Sequence, residues 1–242
     1  MSLITIILLL ILLHALIDML YSGYYFKKSK ILAKKPYNKS IVSGTRLKPT
    51  LKILIVGDSI SAGVGASSFD KSFPALIANH LGKNYHVLLK NLSVSGSRIA
   101  SLLFRPAHEK QDLIVIIIAS NDLLHFTKLE EFEKDASKVM EKYSKLCKKL
   151  IITGPGNISI SPAIPYFLKP FYRARARKYA GILERTASKF KNVVYVDSIS
   201  PKDNLPKYDN SCNAEDKFHP NDKGHKFWFD MVKSELSFNG GY

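Results

Sequence analysis

Short apolar runs and longer amphipathic stretches alternate along the chain from residue 51 onward. The apolar runs are rich in Val, Ile and Leu, as buried strands are, and they fall at residues 51–56, 85–89, 113–118, 150–153 and 193–196. Helical spacing of apolar residues occurs at residues 73–81, 129–147 and 222–236. This alternation predicts an α/β fold, a three-layer αβα sandwich with a roughly five-stranded parallel sheet.

The first apolar stretch, residues 3–21, differs from the others because it is long enough to cross a bilayer as one helix. Aromatic residues follow it, and lysines begin at Lys27, which is the order found at a membrane interface. A cleavable signal peptide carries positive charge before the apolar run and a small-residue cleavage site after it, and neither is present. We therefore predict an uncleaved transmembrane anchor over residues 1–26. The alternative is a buried hairpin helix of a soluble protein.

Residues 27–50 are predicted to be a basic linker that leads to a domain at residues 51–242. Eight Lys and Arg residues and no acidic ones lie between positions 27 and 48, about half of the net charge of +16. Such a block beside an apolar segment favours contact with anionic lipid headgroups, although a solvated lysine-rich linker has the same composition. Lysines on this flank favour a single-pass protein with a cytoplasmic domain, but a large domain can also be translocated.

Several other classes of function lack their motifs. Ser68 stands where a dinucleotide-binding fingerprint requires its last glycine, and no P-loop occurs. The basic residues 173–178 spread their charge around a helix without a nucleic-acid recognition motif, so we interpret them as a solvated face. Cys147 and Cys212 form neither a disulfide framework nor a metal-ligand spacing. We expect a monomer that needs no metal or cofactor and binds no nucleic acid.

Ser59 directly follows the first strand, at the sheet edge where α/β folds place ligands, and is a candidate nucleophile. A serine nucleophile needs a base and the base needs an orienting acid, and His219 and Asp216 could supply both on one short loop. Asp222 and His225 repeat the same spacing, so spacing alone does not choose between the pairs. We favour His219 because it precedes a helix, whereas His225 lies inside it, and catalytic groups are found on loops more often.

Gly96 and Asn121 are candidate hydrogen-bond donors to the same place. Gly96 lies just past a strand, where its bare backbone N–H can approach a ligand closely. Asn121 follows the most apolar strand, and its side-chain amide can point into the same crevice. Each alone is better explained as a turn or cap residue. Together they follow successive strands of one sheet, so we expect them to converge on Ser59.

The segments GDSISAG, NLSVSG, ASND and DKFHPN, in this order, resemble the four blocks of the SGNH hydrolase family, also called GDSL esterases and lipases. The resemblance extends from residue 52 to about residue 236 and implies a flavodoxin-like fold. It implies Ser59 as nucleophile, His219 as base and Asp216 as its orienting acid. It also implies three oxyanion donors, which are the backbone N–H groups of Ser59 and Gly96 and the side-chain amide of Asn121.

The activity that this resemblance implies is hydrolysis of a carboxylic ester or thioester in a small or lipid-like substrate. One departure is Ala119, which stands where the family has a glycine two residues before the asparagine. Its methyl group is expected to narrow the pocket or shift the loop without removing a catalytic group. An inactive binding module of the same fold and an O-acyltransferase acting on a glycan are the alternatives.

Two long loops, residues 154–170 and 198–217, are predicted to wall the acyl pocket. Four apolar residues are candidates for its lining: Phe126, Ile160, Ile164 and Phe167. Packing of the loops onto the core explains these residues equally well.

Overall fold

The computed structural model describes residues 2–37, 39–106, 109–200 and 208–237. They form a six-stranded sheet with the strands Ile41–Ser43 (β1), Thr50–Gly57 (β2), His86–Asn91 (β3), Gln111–Ile117 (β4), Cys147–Thr153 (β5) and Val193–Val196 (β6). The strand order across the sheet is β1-β3-β2-β4-β5-β6. Neighbours among β2 to β6 are parallel, and β1 is antiparallel to β3.

The described α-helices are Leu3–Leu32 (α1), Phe73–Leu81 (α2), Ser120–Leu124 (α3), Leu129–Ser144 (α4), Lys169–Ala187 (α5) and Asp222–Lys233 (α6). Helices α2 and α6 pack on one face of the sheet and α4 and α5 pack on the other, each with its own hydrophobic cluster. The predicted three-layer αβα sandwich is therefore confirmed.

Strand β4 shows why the sheet is covered on both faces. Its Ile114 and Ile116 belong to the cluster under α4 and α5, whereas Leu113, Val115 and Ile117 belong to the cluster under α2 and α6. Because successive side chains of a strand point to opposite faces, an unbroken apolar run can be buried only between two layers. All five side chains are fully buried.

The structure adds three elements that the periodicity did not predict, which are β1, the short helix α3 and α5. Strand β1 lies inside the predicted linker at residues 27–50 and pairs with β3 at the sheet edge. Helix α5 begins at Lys169, so it takes the last two residues of the predicted loop 154–170. In addition, the helix predicted for residues 129–147 ends at Ser144, because β5 begins at Cys147. Part of the predicted loop 198–217, residues 201–207, lies outside the described residues.

Helix α1 continues through the first lysines and ends at Leu32, six residues beyond the predicted anchor. Of the described helices, it alone is long and apolar enough to cross a membrane, by length and composition. Its most apolar window is not buried against the rest of the chain. Within the described residues this window is therefore not covered by the domain, as a buried hairpin helix would be.

Candidate active site

Ser59 lies in the tight turn that follows β2. The turn is fixed by backbone hydrogen bonds, from Asp58 N–H to the Ile117 carbonyl of β4 (3.0 Å) and from Val64 N–H to the Ser59 carbonyl (3.0 Å). The Asp58 carboxylate also accepts the N–H of Ile60 at 3.0 Å. This turn holds Ser59 at the carboxyl edge of the parallel strands, with its side chain mostly buried.

His219 and Asp216 form a buried pair on the loop before α6. His219 Nδ1 donates to Asp216 Oδ2 at 2.5 Å, and Asp216 Oδ1 accepts the backbone N–H groups of Phe218 and His219, each at 3.0 Å. Burial opposes ionisation of Asp216, but the hydrogen bonds from His219 and from the two backbone N–H groups lower its pKa below the ordinary value. The carboxylate therefore stays charged and fixes the tautomer and orientation of the ring.

Asn221 fixes the loop that carries this pair. Its Oδ1 accepts the N–H groups of Lys223 and Gly224, which caps the start of α6. Its Nδ2 donates to the carbonyls of Ser211 and Asn213, across the base of the same loop. One side chain thus joins the loop to the helix that follows it.

Gly96 and Asn121 lie on the loops after β3 and β4. Gly96 has φ +81°, a conformation that side chains with a Cβ rarely adopt, and a Cβ there would meet nothing within 4 Å. Asn121 Nδ2 donates to the Ser97 carbonyl at 3.1 Å, and Asp122 Oδ2 accepts the Ile99 N–H at 2.9 Å. These two bonds tie the neighbouring loops together beside Ser59.

A cavity of about 720 Å³ is lined by Ser59, Gly96, Asn121 and His219 together, with Asp216 behind the histidine. Within the described residues, Ser59 and His219 share the cavity wall without a direct hydrogen bond, as is common in enzymes without bound substrate. No group of three or more metal-ligating side chains occurs in the part of the chain that the structure describes. The arrangement places a hydroxyl, an imidazole and amide donors around one cavity.

The second pair with the same spacing lies elsewhere. Asp222 accepts hydrogen bonds from Ser67 and forms an ion pair with Lys71 at 2.9 Å. His225 is fully buried inside α6, and its Nε2 contacts the Val64 carbonyl at 3.0 Å. Burial lowers the pKa of His225 to about 4. This pair holds α6 against the turn after β2 and does not line the cavity.

Asp58 and Asn91 support the site and were not singled out from the sequence. Asn91 Nδ2 donates to the Ser61 carbonyl at 2.9 Å, which joins the end of β3 to the turn carrying Ser59. Asp58 is fully buried, and burial, with the nearby charge of Asp122, raises its pKa to about 7. The sequence signal that could have identified them is their position inside the segments GDSISAG and NLSVSG.

Ala119 has a left-handed backbone, with φ +86°, immediately before α3. A residue with a Cβ in this region costs about 1 kcal/mol relative to glycine. The methyl group is fully buried in the cluster under α4 and α5, so it does not enter the cavity. The expected narrowing of the pocket is therefore wrong, and the departure from glycine is a local backbone strain.

The predicted apolar lining is correct at one of four positions. Ile160 lines the cavity, whereas Ile164 is buried in the hydrophobic core. Phe126 and Phe167 are half exposed and lie outside the cavity. The additional apolar lining comes from both loops, from the segment between the second loop and α6, and from α1, α3, α5 and α6. It includes Phe26, Leu124, Ile158, Tyr172, Ile199, Phe218, Phe227 and Trp228.

Comparison with known proteins gives a consistent picture. The sequence profile of the GDSL-like Lipase/Acylhydrolase family matches residues 53–232. A catalytic mutant of Axe2, an acetylxylan esterase from Geobacillus stearothermophilus, gives a TM-score of 0.62 and 20% identity, covering 81% of this chain and 98% of that one. LAE5, an α/β hydrolase enzyme from the metagenome of Lake Arreo in Spain, gives a TM-score of 0.62 and 22% identity, covering 78% of this chain and 96% of that one. TesA gives a TM-score of 0.60 and 21% identity, covering 77% of this chain and 98% of that one.

A comparison with curated proteins found no significant match. At about 20% identity, the structural likeness establishes the fold, and it confirms the predicted sheet with helices on both faces. The family profile covers about three quarters of the chain. On that basis the chain belongs to the GDSL-like lipase/acylhydrolase family and is an esterase of the SGNH type.

Proposed function

We propose that this chain is a membrane-anchored serine esterase that cleaves carboxylic esters. Ser59 is the nucleophile, His219 is the general base, and Asp216 is the positioning acid that holds His219. The observation that carries the proposal is the buried 2.5 Å contact between His219 and Asp216 on the wall of the cavity that Ser59 also lines. Such a pair holds the imidazole in one tautomer and orientation beside a hydroxyl.

The reaction proceeds by two acyl transfers. Ser59 Oγ attacks the carbonyl carbon of the ester while its proton moves to Nε2 of His219. His219 then gives this proton to the leaving oxygen, which releases the alcohol and leaves Ser59 acylated. A water molecule next gives a proton to His219 and attacks the acyl carbon. Return of that proton to Ser59 Oγ releases the carboxylic acid.

The oxyanion of each tetrahedral intermediate is held by the backbone N–H groups of Ser59 and Gly96 and by the amide of Asn121. Support comes from their shared cavity and from the hydrogen bonds that fix the two loops before any substrate binds. Asn121 has two amide hydrogens, so one can remain on the Ser97 carbonyl while the other faces the oxyanion. Donors held in place beforehand stabilise developing charge without a cost of reorganisation.

Anchoring is supported by helix α1. Its apolar part is exposed, and aromatic and lysine residues follow at the position of a membrane interface. We propose that α1 crosses the bilayer once and that the basic residues after it lie against anionic lipid headgroups.

The proposal is tested with Ser59→Ala in the full chain. We expect loss of p-nitrophenyl acetate hydrolysis by ~10³-fold or more and loss of labelling by a fluorophosphonate probe. Asn121→Ala should slow hydrolysis ~10²–10³-fold while probe labelling remains detectable. Ser61→Ala is the matched control, because Ser61 is the neighbouring hydroxyl and donates to the Asp58 carbonyl. Wild-type turnover in Ser59→Ala, or labelling that persists in it, would show that Ser59 is not the nucleophile.

A further inference from the structure

Helix α1 forms one wall of the cavity, although its first part is the proposed membrane span. The cavity-lining residues of this helix end, here called the helix wall, are Phe26, Ser29, Lys30 and Ala33. The ring of Phe26 lies 5.7 Å from the ring of Phe218, which lies 5.3 Å from that of His219, measured between ring centroids. One side chain therefore separates the helix wall from the proposed base.

A stripe of side chains holds α1 on the domain. Asp18 accepts the backbone N–H of Tyr166, and Ser22 donates to the carbonyl of Ala163. Asp18, Ser22 and Phe26 are spaced four residues apart, so their side chains lie on the same face of the helix. The helix thus meets the domain with one defined face, and that face continues into the helix wall.

The length of α1 places the cavity close to the bilayer surface. Its most apolar window has a mean hydropathy of 2.7 and is not buried in the protein. The apolar span ends at Tyr21, and Phe26 follows five residues later, ~7 Å along the helix axis. When the span lies in the bilayer, the cavity is therefore at the level of the lipid headgroups.

A second apolar feature lies beside the same part of α1. The aromatic rim consists of four exposed residues, Phe126, Tyr166, Phe167 and Phe171. It is next to the helix because the Tyr166 N–H donates to Asp18. It reaches the cavity through Tyr172, whose ring lies 5.6 Å from Phe171 and which lines the cavity. Exposed aromatic side chains at this level are typical of the membrane interface.

We infer that α1 is part of the substrate site and that the substrate is an acyl ester carried in the bilayer. The acyl chain leaves the lipid between α1 and the aromatic rim, lies against the helix wall and presents its carbonyl to Ser59. The cavity of about 720 Å³ with largely apolar walls is large enough for a chain longer than acetyl. This inference rests on the proposed function, because it takes Ser59 as the nucleophile.

The route from the bilayer is tested with two populations of phosphatidylcholine and phosphatidylglycerol vesicles. The full chain is reconstituted into one population, and p-nitrophenyl palmitate is placed either in the same vesicles or in the other population. We expect release of p-nitrophenolate to be ~10-fold faster, or more, when enzyme and ester share a bilayer, because the shared membrane raises their effective concentration. Equal rates in the two arrangements would overturn the route.

The helix wall is tested by substitutions at the end of α1 and at Ala33, the residue that follows it. Ala33→Phe narrows the cavity, and we expect it to lower the ratio of kcat/KM for p-nitrophenyl octanoate to that for the acetate ~10-fold. Phe26→Ala widens the same wall and should shift the ratio towards longer chains. Ile31→Phe is the control, because Ile31 is exposed and lies outside the cavity. Unchanged ratios in both cavity variants would overturn the role of the helix wall.

The outcomes separate this inference from the proposed function. If the wild-type chain fails to hydrolyse even the acetate, the serine esterase assignment fails. If it hydrolyses the acetate, prefers it to the octanoate and shows no advantage in shared vesicles, the esterase stands and its substrate is a water-soluble short-chain ester. Because Phe26→Ala and Ala33→Phe change the cavity in opposite directions, failure of one variant to fold leaves the other as a test.

Discussion

The sheet edge and helix α1 border the same cavity but are held by different kinds of contact. At the edge, backbone hydrogen bonds fix the turn that carries Ser59. Asp216 accepts hydrogen bonds from the ring Nδ1–H of His219 and from two backbone N–H groups. Helix α1 reaches the domain through side chains spaced about one turn apart, such as Ser22 and Phe26. The sheet edge is thus held by several hydrogen bonds within its turn and loop, and α1 is held by a single stripe of side-chain contacts.

This difference matches the demands on each border. Groups that transfer protons must be placed to within a fraction of an ångström, and rigid strands with supporting hydrogen bonds provide that precision. A wall that selects an acyl chain by size needs shape and apolar surface, which a packed helix provides. Substitutions at the edge should therefore affect every substrate, whereas those on α1 should affect substrates according to chain length.

The largest effect is expected for His219→Ala. Without the base, kcat/KM should fall ~10³-fold or more for acetate and octanoate esters alike, with their ratio unchanged. His225→Ala is the matched control, because His225 is buried away from the cavity and contacts the Val64 carbonyl. This variant should lower the free energy of unfolding by about 2 kcal/mol or more. The kcat of its folded fraction should stay within the same order of magnitude as that of the wild type. The measurements are steady-state rates and urea titrations. Activity retained in His219→Ala would contradict the role of His219 as general base.

A smaller effect, on stability rather than turnover, is expected for Asp58→Asn. The pKa of Asp58 is raised from 3.8 to about 7 in the folded state, so between these values the folded chain holds a proton that the unfolded chain has lost. Stability contributed by this group is therefore lost as pH rises from about 4 towards about 7. The asparagine keeps an oxygen for the Ile60 N–H and cannot ionise.

The wild type should thus lose several kcal/mol of stability across that interval through this group, and the variant should not. Urea titrations at mildly acidic and mildly alkaline pH measure the difference. We expect the free energy of unfolding of Asp58→Asn to rise relative to that of the wild type as pH rises, because the variant has no buried charge and no repulsion with Asp122 at this position. A difference that does not change with pH would show that Asp58 does not titrate in this interval.

The smallest effect is expected for Ser22→Ala on α1. Loss of the hydrogen bond to the Ala163 carbonyl should lower the free energy of unfolding by about 1 kcal/mol. The chain is measured in detergent by urea titration, with Ser101→Ala as a control for loss of an exposed hydroxyl. If α1 were a free tether, Ser22→Ala would have no more effect than the control.

Much of the fold could be predicted because its strands are apolar runs buried on both faces. The run at residues 113–118 indicated the central strand, since only a strand covered on both faces tolerates six successive β-branched or leucine side chains. Strand β1 could not be predicted, because it has three residues and owes its place to pairing with β3. Periodicity carries no information about such edge pairing.

The candidate site residues were found through short segments at the ends of strands. The structure places Ser59, Gly96, Asn121 and His219 around one cavity, which their separation in sequence did not guarantee. Asp58 was passed over because its importance comes from complete burial, which is a property of the folded chain. Ile160 and Ile164 show the same limit, since two equally apolar residues four positions apart face the cavity and the core.

The sequence by itself determined the α/β class, the order of the motifs and the apolar helix at the N-terminus, because each leaves a local pattern of hydrophobicity or of residue type. Only the tertiary structure decided that the end of this helix forms one wall of the cavity. A pattern along one helix shows which side chains avoid water, but not which surface covers them. Here the covering surface comes from loops more than a hundred residues away, at Ala163 and Phe218.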